Sequence, residues 1–341
     1  MKNCMKIAFV YIGLIIGAGF ASGREIMQYF NFRSNTDLSG TVLAGLLFIL
    51  MCFIILDKAY RQKLYNFDDY ISSIAGNFKK FIKAFMLFYL FCGFFVMLSG
   101  SGTLFRDTLN VPLIIGILFM ACVCFIVFAF DIKGIVMLNV ILVPLMLGGI
   151  LYICTVSVIL KNAEVFNILE NVKNNMLTSA ICYVSYNTIT AAAVLVPLSK
   201  TVNKKEIIKA SFVGGGVLGI LIFIIWLAQA MYFKTLWYSE IPMLTLAAFH
   251  GDMSKVIYSL VLLMAICTTA VSQGFGIMSY FKATSFKQRL ICGIIICVVA
   301  IPFAMLGFGN LVEHLYTFFG YAGLLWMGWV IVDYCKNCLR E

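Results

Sequence analysis

The first hydrophobic segment of the chain contains three glycines within the run 17–23, GAGFASG. Each glycine weakens a helix by roughly 1 kcal/mol relative to alanine. In hydrocarbon, an unpaired backbone group costs several kcal/mol, so a break at membrane depth survives only beside protein or a water-filled cavity. A broken helix also presents bare N–H and C=O groups that can bind anions and cations. Solute transporters use such helices, so this glycine run predicts a broken membrane helix at a binding site.

The rest of the chain predicts an all-α integral membrane protein with ten transmembrane helices. Of its 341 residues, 62% are hydrophobic and 12% are charged, and the charged residues cluster between long apolar runs. A crossing of the bilayer takes roughly 20 mostly apolar residues. No connection between the runs has room for a soluble domain, so residues 1–341 are expected to form one membrane domain. The runs, numbered here as segments 1 to 10, are 7–32, 41–56, 84–105, 108–130, 134–160, 174–199, 210–233, 256–281, 290–312 and 315–332.

The distribution of charge predicts the orientation in the membrane. The formal net charge is +10, and with ten segments most Lys and Arg residues fall on the same side as the N-terminus. Because cytoplasmic loops carry an excess of Lys and Arg, both termini are expected in the cytoplasm. The net charge therefore requires no nucleic-acid partner. Segment 1 is expected to be retained rather than cleaved, because Arg24 and Glu25 follow its glycine run and no small-residue cleavage site ends it.

The order of the segments predicts two related halves, over about 5–160 and about 174–335. A glycine-rich break near residue 19 opens the first half, and a polar-interrupted stretch near residue 186 opens the second. Each half has five segments, and an odd number means that the second half enters the membrane from the opposite side. The result is an inverted repeat.

Three connections are long enough to have structure of their own. Residues 64–76 mix apolar and acidic side chains, which predicts a short helix on the cytoplasmic interface. Residues 241–252 are apolar enough to dip toward the extracellular vestibule as a lid. Residues 164–173 are polar and are expected outside.

The run from Phe9 to Ile26, FVYIGLIIGAGFASGREI, resembles the opening of the YkvI-like family of bacterial membrane proteins. The similarity extends over the chain in length and segment pattern, including residues 183–187, YVSYN, in segment 6. That family is similar to a branch of the amino acid–polyamine–organocation superfamily. The resemblance implies the ten-helix LeuT-type fold, a 5+5 inverted repeat with helices 1 and 6 broken, in a bacterial cytoplasmic membrane. It says little about the substrate.

The break in segment 1 is the first candidate for a substrate site. Amides that lead into the second half-helix point to one spot at a positive dipole end, which suits a carboxylate. Close packing of helices through small residues is the alternative explanation of these glycines. The candidate substrate-binding residues in segment 1 are Gly17, Ala18, Gly19, Phe20, Ala21, Ser22 and Gly23.

Segment 6 contains the second candidate part of the substrate site. Its hydroxyls and the carbonyls freed by a second break could hold an ammonium group or order water, and Pro197 limits how far the helix continues. Hydrogen bonding between helices by Ser, Thr and Asn is the alternative. The candidates in segment 6 are Ser185, Tyr186, Asn187 and Thr188, and Tyr89 and Gln273 on segments 3 and 8 are candidate pocket-lining residues.

The resemblance also implies a sodium site. In LeuT-type sodium symporters, one site is similar to the pattern AICTT at 265–269 on segment 8. Carried over by motif, the ligands are the carbonyls of Gly13, Ile16 and Ala265 and the hydroxyls of Thr268 and Thr269. Five neutral oxygens suit a small hard cation such as Na⁺. A Thr pair whose hydroxyls bond back to their own helix is the alternative.

Charged residues inside membrane segments are functional hypotheses by default. Arg24 and Glu25 follow the break in segment 1, and Glu313 opens segment 10 on the same side. An Arg24–Glu313 ion pair could close an extracellular gate, and Glu25 could carry a proton in place of sodium. The alternative is that these charges are solvated in the vestibule.

Together these features predict a secondary active transporter for an amino acid or similar small zwitterion, driven by Na⁺ or H⁺. The expected partners are the solute, the coupling cation and the lipid bilayer, with no other cofactor. A non-transporting ligand receptor on the same scaffold, similar to germination permease-like subunits, is the alternative, because it needs no cation site. A channel is disfavoured because nothing resembles a filter or a ring of like charges. No enzyme is predicted, because His250 and His314 lack metal-ligand spacing and no triad is found.

Overall fold

The structure is a computed structural model of the chain, and it describes residues 3–30, 36–129, 133–160, 176–281 and 285–338. All regular structure within these residues is helical. In this described part of the chain, eight helices are long and apolar enough to cross a membrane, and two shorter apolar helices begin segment 1 and form nearly all of segment 4. The ten segments follow the predicted order.

The helices that form the segments have these bounds: segment 1, Asn3–Ile15, Ala18–Ser22 and Arg24–Tyr29; segment 2, Thr36–Arg61; segment 3, Lys79–Leu109; segment 4, Leu113–Ala129; segment 5, Lys133–Leu160; segment 6, Met176–Leu198; segment 7, Lys204–Met231; segment 8, Asp252–Tyr280; segment 9, Phe286–Ala304; and segment 10, Phe308–Leu311, a π-helical turn Val312–Tyr316, and Thr317–Cys338.

The outward faces of the bundle are apolar. Leu46, Ile220, Val298 and Leu325 each expose more than half of their surface. A soluble monomer rarely exposes large contiguous apolar patches, whereas lipid is as apolar as these side chains. Since every backbone group inside a helix is paired within its own segment, the bundle suits a bilayer.

Equivalent segments of the two halves pack against each other. Segment 2 lies along segment 7, and segment 3 lies along segment 8. Glycines allow the first pair to approach closely: a Cβ added to Gly45 would lie 2.9 Å from the Cα of Gly219, and one added to Gly215 would lie 2.5 Å from the amide nitrogen of Ile49. The glycines of segment 7 therefore act in helix packing, as close-packed membrane helices require.

Segment 6 corrects one prediction. Met176–Leu198 is a single α-helix that continues through Ser185, Tyr186, Asn187 and Thr188, so the predicted break in helix 6 is wrong. The physical reason is local. Segment 6 has no residue with positive φ, and its small polar side chains bond to backbone carbonyls without displacing the helical ladder.

Among the described residues, the connections contain three short α-helices, Phe67–Ala75, Phe233–Leu236 and Pro242–Phe249, and two 3-10 turns, Gly76–Phe78 and Ser199–Thr201. Phe67–Ala75 begins at Asn66, whose side chain accepts a hydrogen bond from the Asp68 N–H at 3.1 Å, and it lies within the connection 64–76 for which a short helix was predicted. Pro242–Phe249 lies in the apolar stretch 241–252 and buries Met243 and Leu246. Residues 164–173 lie outside the described residues.

Candidate functional site

Segment 1 is interrupted twice. Its first helix ends at Ile15, and Gly17 is extended with φ −86° and ψ −175°. The short helix Ala18–Ser22 then ends at Gly23, which has φ 75°, and Arg24–Tyr29 follows. A positive φ is accessible to glycine at little cost, so Gly23 allows the second change of direction. The predicted break in helix 1 is present.

Side chains of segments 7 and 8 hold the irregular backbone in place. Gln229 Nε2 donates to the Gly23 carbonyl at 3.0 Å, and the Tyr258 hydroxyl donates to the Ala21 carbonyl. Within segment 1, Ser22 Oγ donates to the Gly19 carbonyl at 2.8 Å. The backbone freed by the outer interruption is thus paired inside protein, as membrane depth demands.

The inner interruption leaves carbonyls bare. In a continuous helix the Gly17 N–H would donate to the Gly13 carbonyl, but here it donates to the Ile15 carbonyl at 2.8 Å. Within the described part of the chain, no backbone N–H donates to the carbonyls of Gly13 or Ile16. Gly13 and Gly17 are partly exposed. These two carbonyls are therefore available to a cation or to water.

Thr269 of segment 8 lies close to this stretch. A Cβ added to Gly17 would lie 3.4 Å from Thr269 Oγ1. The hydroxyls of Thr268 and Thr269 donate to the Ala265 carbonyl at 3.1 and 2.8 Å. Their oxygens keep acceptor capacity toward a cation, while both lone pairs of the Ala265 carbonyl are already used. The structure brings segment 1 and the threonine pair together, and ligation by the five predicted oxygens stays a prediction.

Glu25 lies in the outer half of segment 1 and is 5% exposed. Its carboxylate folds back over the backbone, since a Cβ added to Gly19 would lie 1.9 Å from Glu25 Oε1. Oε2 has no hydrogen-bond partner. Glu25 takes part in none of the ion pairs among the described residues. A buried carboxylate without a cation is costly.

Five tyrosines lie near enough to Glu25 to interact with it electrostatically: Tyr29, Tyr89, Tyr183, Tyr186 and Tyr316. The rings of Tyr29 and Tyr186 stack with centroids 5.7 Å apart, and those of Tyr186 and Tyr316 are 5.3 Å apart. The Tyr29 hydroxyl donates to the Tyr316 carbonyl. We name the four rings of Tyr29, Tyr183, Tyr186 and Tyr316 the tyrosine cage. It joins segments 1, 6 and 10.

The other predicted residues of segment 6 bond inside the bundle. Ser185 Oγ lies 2.9 Å from the Cys182 carbonyl and 2.8 Å from the Gly320 carbonyl of segment 10. Asn187 Nδ2 donates to its own helix at 2.9 Å, and Thr188 Oγ1 does so at 2.7 Å. Tyr186 alone of the four predicted residues borders the carboxylate of Glu25.

Tyr89 and Gln273, predicted to line a pocket, both border a cavity of about 20 Å³. Tyr316 and Phe319 of segment 10 close it on one side. The carbonyl oxygen of Gln273 is buried without a hydrogen-bond partner. Since Tyr89 and Tyr316 also neighbour Glu25, the cavity adjoins the tyrosine cage.

The predicted gate residues meet at the end of the bundle that the charge distribution assigns to the outside. Arg24 Nη2 lies 3.8 Å from Glu313 Oε2, and Arg24 Nη1 donates to the Ser239 carbonyl at 3.2 Å. The Glu313 side chain is 54% exposed, and exposed pairs contribute little. Glu25 does not join this pair, and the gating role of the three residues stays a prediction.

Glu240 links several elements at this end of the bundle. The sequence analysis did not single it out. Its Oε2 accepts from Thr103 Oγ1 at 3.1 Å and from the Gly309 N–H at 3.2 Å. Its Oε1 lies 3.2 Å from Arg106 Nη2. One carboxylate thus ties the 232–242 connection to segments 3 and 10. A lone Glu beside Pro242 carries no periodic signal.

The opposite end has its own charged cluster, which was also not predicted. Lys58 pairs with Asp333 and is almost fully buried. Asp57 is fully buried and accepts from Arg61 Nε at 2.7 Å and from the Tyr334 hydroxyl at 2.6 Å. The signal that could have indicated it is a charged pair, Asp57-Lys58, directly after an apolar run.

Comparison with known proteins gives two relatives of undetermined function. The chain is 29% identical over 350 residues to the uncharacterized membrane protein YkvI of Bacillus subtilis (strain 168), covering 99% of this chain and 97% of that protein. It is 28% identical over 322 residues to the uncharacterized protein YyaD of the same organism, covering 94% of each. No family model matches the chain.

Among solved structures, an inward-facing conformation of Mhp1 matches 97% of this chain and 76% of its own, with TM-score 0.69 and 15% identity. The fold is of the LeuT type. A manganese transporter of Eremococcus coleocola matches 96% of this chain and 77% of its own, with TM-score 0.59 and 15% identity. A Na⁺-coupled sialic acid symporter in a substrate-bound outward-open state matches 95% and 84%, with TM-score 0.55 and 14% identity.

These likenesses confirm the predicted fold class, an all-α integral membrane protein with the LeuT-type arrangement of segments. The identities are too low to transfer a substrate or a coupling ion. Among the described residues, no group of three His, Cys, Asp or Glu side chains could hold a metal ion. The candidate site therefore consists of backbone carbonyls and threonines at the inner interruption of segment 1, and of Glu25 with its tyrosines at the outer one.

Proposed function

We propose that this protein is a secondary active transporter that moves a small organic solute across the bacterial cytoplasmic membrane by alternating access. The observation that carries the proposal is the doubly interrupted segment 1, with its outer turn held by Gln229 and Tyr258. Interruptions of this kind serve binding of solute and ion in transporters. The solved proteins of similar fold include a Na⁺-coupled symporter, which supports the same class.

The coupling ion proposed is Na⁺, bound between segments 1 and 8. The support is the pair of bare carbonyls at Gly13 and Ile16, together with the closeness of Gly17 to Thr269. Oxygen ligands without net charge suit a small hard cation. An ion that bridges these segments favours the conformation in which both contribute ligands, and coupling needs that differential affinity.

The solute proposed is an amino acid or similar zwitterion that lies between the cage and the cavity bordered by Tyr89 and Gln273. Its position would bring segments 1, 3, 6, 8 and 10 into one site. Uptake by purified protein in liposomes under an imposed Na⁺ gradient tests the proposal, with a K⁺ gradient as the reference. Binding without flux would identify the receptor on the same scaffold instead.

A substitution tests the ion site. Thr269→Val removes the hydroxyl that faces Gly17, and we expect it to abolish the rise in thermal stability that Na⁺ produces by mass action. Ser272→Ala on the same segment is the control, because its exposed hydroxyl donates only to the Thr268 carbonyl of its own helix. Equal Na⁺ responses of the two variants would contradict the site.

A further inference from the structure

No described residue supplies a cation to the Glu25 carboxyl. Arg24 is directed to Ser239 and Glu313 and does not pair with Glu25. The Glu25 side chain is 5% exposed, and Oε2 has no hydrogen-bond partner. An isolated ionised carboxylate in a low-dielectric interior costs many kcal/mol, whereas the same group beside a positive charge is stabilised. A bound cation would therefore stabilise the ionised form of Glu25, which no described residue stabilises by an ion pair.

The surroundings of Glu25 select the kind of cation. The faces of aromatic rings carry negative potential, which attracts organic cations and disfavours anions. The four rings of the cage lie near one carboxylate. A bare metal ion such as Na⁺ or Ca²⁺ needs several oxygen ligands, and among the described residues no group of three His, Cys, Asp or Glu side chains could hold one. The Tyr186 hydroxyl lies beside the carboxylate without a hydrogen bond of normal geometry.

A small cavity of about 20 Å³, enough for about one water molecule, adjoins the cage. Tyr316 and Tyr89, which both lie near Glu25, line it. Gln273 also lines it, and the Gln273 carbonyl oxygen is buried and unpaired. A ligand body larger than a water needs the cavity to widen toward Gln273. A buried polar atom without a partner in a cavity is an acceptor for a ligand or for water. A ligand with a cationic head on Glu25 and a body toward Gln273 would satisfy both groups.

We infer that Glu25 and the tyrosine cage bind the ammonium group of the transported solute. This inference rests on the proposed function and specifies its substrate class: solutes with a protonated amine are bound, and solutes with only a carboxylate are not. The ammonium donates to Glu25 Oε2, and the cage rings contact its remaining face. Because the cage joins segments 1, 6 and 10, the occupied site favours the conformation in which the three segments are together.

Matched probes test this inference with the full-length protein purified in detergent. For each common amino acid, thermal shift is measured with the amino acid, with its decarboxylated amine and with its deaminated acid. We expect stabilisation by at least one amino acid and by the matching amine, and none by the matching acid. An acid that stabilises as strongly as the amine overturns the inference.

Variants assign the effect to Glu25. Glu25→Gln keeps the shape and removes the charge, and we expect the dissociation constant of the amine to rise at least tenfold. Asp69→Asn, an exposed carboxylate on the interface helix, is the charge-matched control. If Glu25→Gln does not fold, Tyr186→Phe and Tyr186→Leu replace it: loss of the ring in the Leu variant should weaken amine binding more than loss of the hydroxyl. Equal binding by the Leu and Phe variants overturns the cage.

Flux separates this inference from the proposed function. Binding of amines that depends on Glu25, without uptake into liposomes, contradicts transport but leaves the ammonium site intact. Uptake of solutes that lack an amine contradicts the ammonium site but leaves transport intact. If Glu25 only carries a proton, Glu25→Gln should change uptake of all solutes equally, and that outcome also overturns the inference.

Discussion

Segments 1 and 6 begin the two halves of the chain with similar interruptions in sequence, yet only segment 1 breaks. Segment 1 changes direction at Gly17 and Gly23, whereas segment 6 stays helical through Ser185 and Thr188. The difference lies in the backbone. Gly23 takes a positive φ that an L side chain rarely adopts, while Ser and Thr hydroxyls bond back to the preceding turn without interrupting it. In this protein, small polar residues alone do not break a membrane helix.

The two segments also use their neighbours differently. Segments 7 and 8 supply Gln229 and Tyr258 as donors to the Gly23 and Ala21 carbonyls of segment 1. Segment 10 instead offers its own carbonyl, at Gly320, to Ser185 of segment 6. The broken helix therefore depends on donors from outside, and the continuous helix acts as a donor. Four substitutions, in order of decreasing expected effect, test this difference.

Gly23→Ala should have the largest effect. The new Cβ would lie 1.9 Å from Gln229 Nε2 and 2.7 Å from Met243 Cγ, at a backbone φ of 75°. Strain and overpacking together are expected to cost about 3 kcal/mol or more of stability. The thermal unfolding midpoint in detergent measures it. Gly216→Ala in segment 7 is the control, since no atom lies within 4 Å of its new Cβ. Similar midpoints for the two variants would refute the requirement for glycine.

Gln229→Leu should have the next largest effect. It removes one of the two donors to the Gly23 carbonyl, which also accepts from the Met27 N–H at 3.1 Å, at an expected cost of about 1–1.5 kcal/mol. Asn187→Leu in segment 6 is the matched control, because its amide donates to a carbonyl of its own helix. The same unfolding assay compares them. A larger loss for the Asn187 variant would reverse the proposed dependence of segment 1 on outside donors.

Ser185→Ala should cost about 1 kcal/mol, because one hydrogen bond to the Gly320 carbonyl is lost between two helices. Thr188→Val should cost less, since its hydroxyl serves only its own helix. Unfolding midpoints of the two single variants decide the order. If Ser185→Ala instead removed solute binding with an unchanged midpoint, that result would support the substrate role predicted from the sequence.

Gly17→Ala should change stability least, by no more than about 0.5 kcal/mol in the absence of Na⁺. Its φ of −86° suits any residue, and its new Cβ would lie 3.4 Å from Thr269 Oγ1. The two interruptions of segment 1 would then differ: the one at Gly17 would tolerate a side chain, and the one at Gly23 would require glycine. A loss of stability as large as that of Gly23→Ala would show that Gly17 also requires glycine, because of its close approach to segment 8.

The sequence predicted the fold and one half of the site. Glycine density is a local property of the backbone, so the break near Gly19 could be inferred without knowing any neighbour. The partner of a hydroxyl is a tertiary property, so Ser185 could not be assigned to Gly320 rather than to solvent. For the same reason, the role of Glu240 could not be predicted, because its hydrogen-bond partners come from segments 3 and 10.

The tyrosine cage was hidden for a related reason. Its rings come from three segments. Except for positions 183 and 186, the positions 29, 183, 186 and 316 are distant in sequence. Tyrosine is common in membrane proteins, and it carries no motif of its own. Only the packing of segments 6 and 10 against segment 1 brings the rings around Glu25.

The charged clusters at the two ends differ in their access to water. At the end that carries Glu240, the Glu240 and Arg106 side chains are 30% and 42% exposed, whereas at the other end Lys58 is 1% exposed. Dissolved ions screen exposed charges far more than buried ones. We therefore expect concentrated salt to weaken the Arg106–Glu240 ion pair more than the Lys58–Asp333 ion pair, so that the two ends of the bundle respond differently to ionic strength.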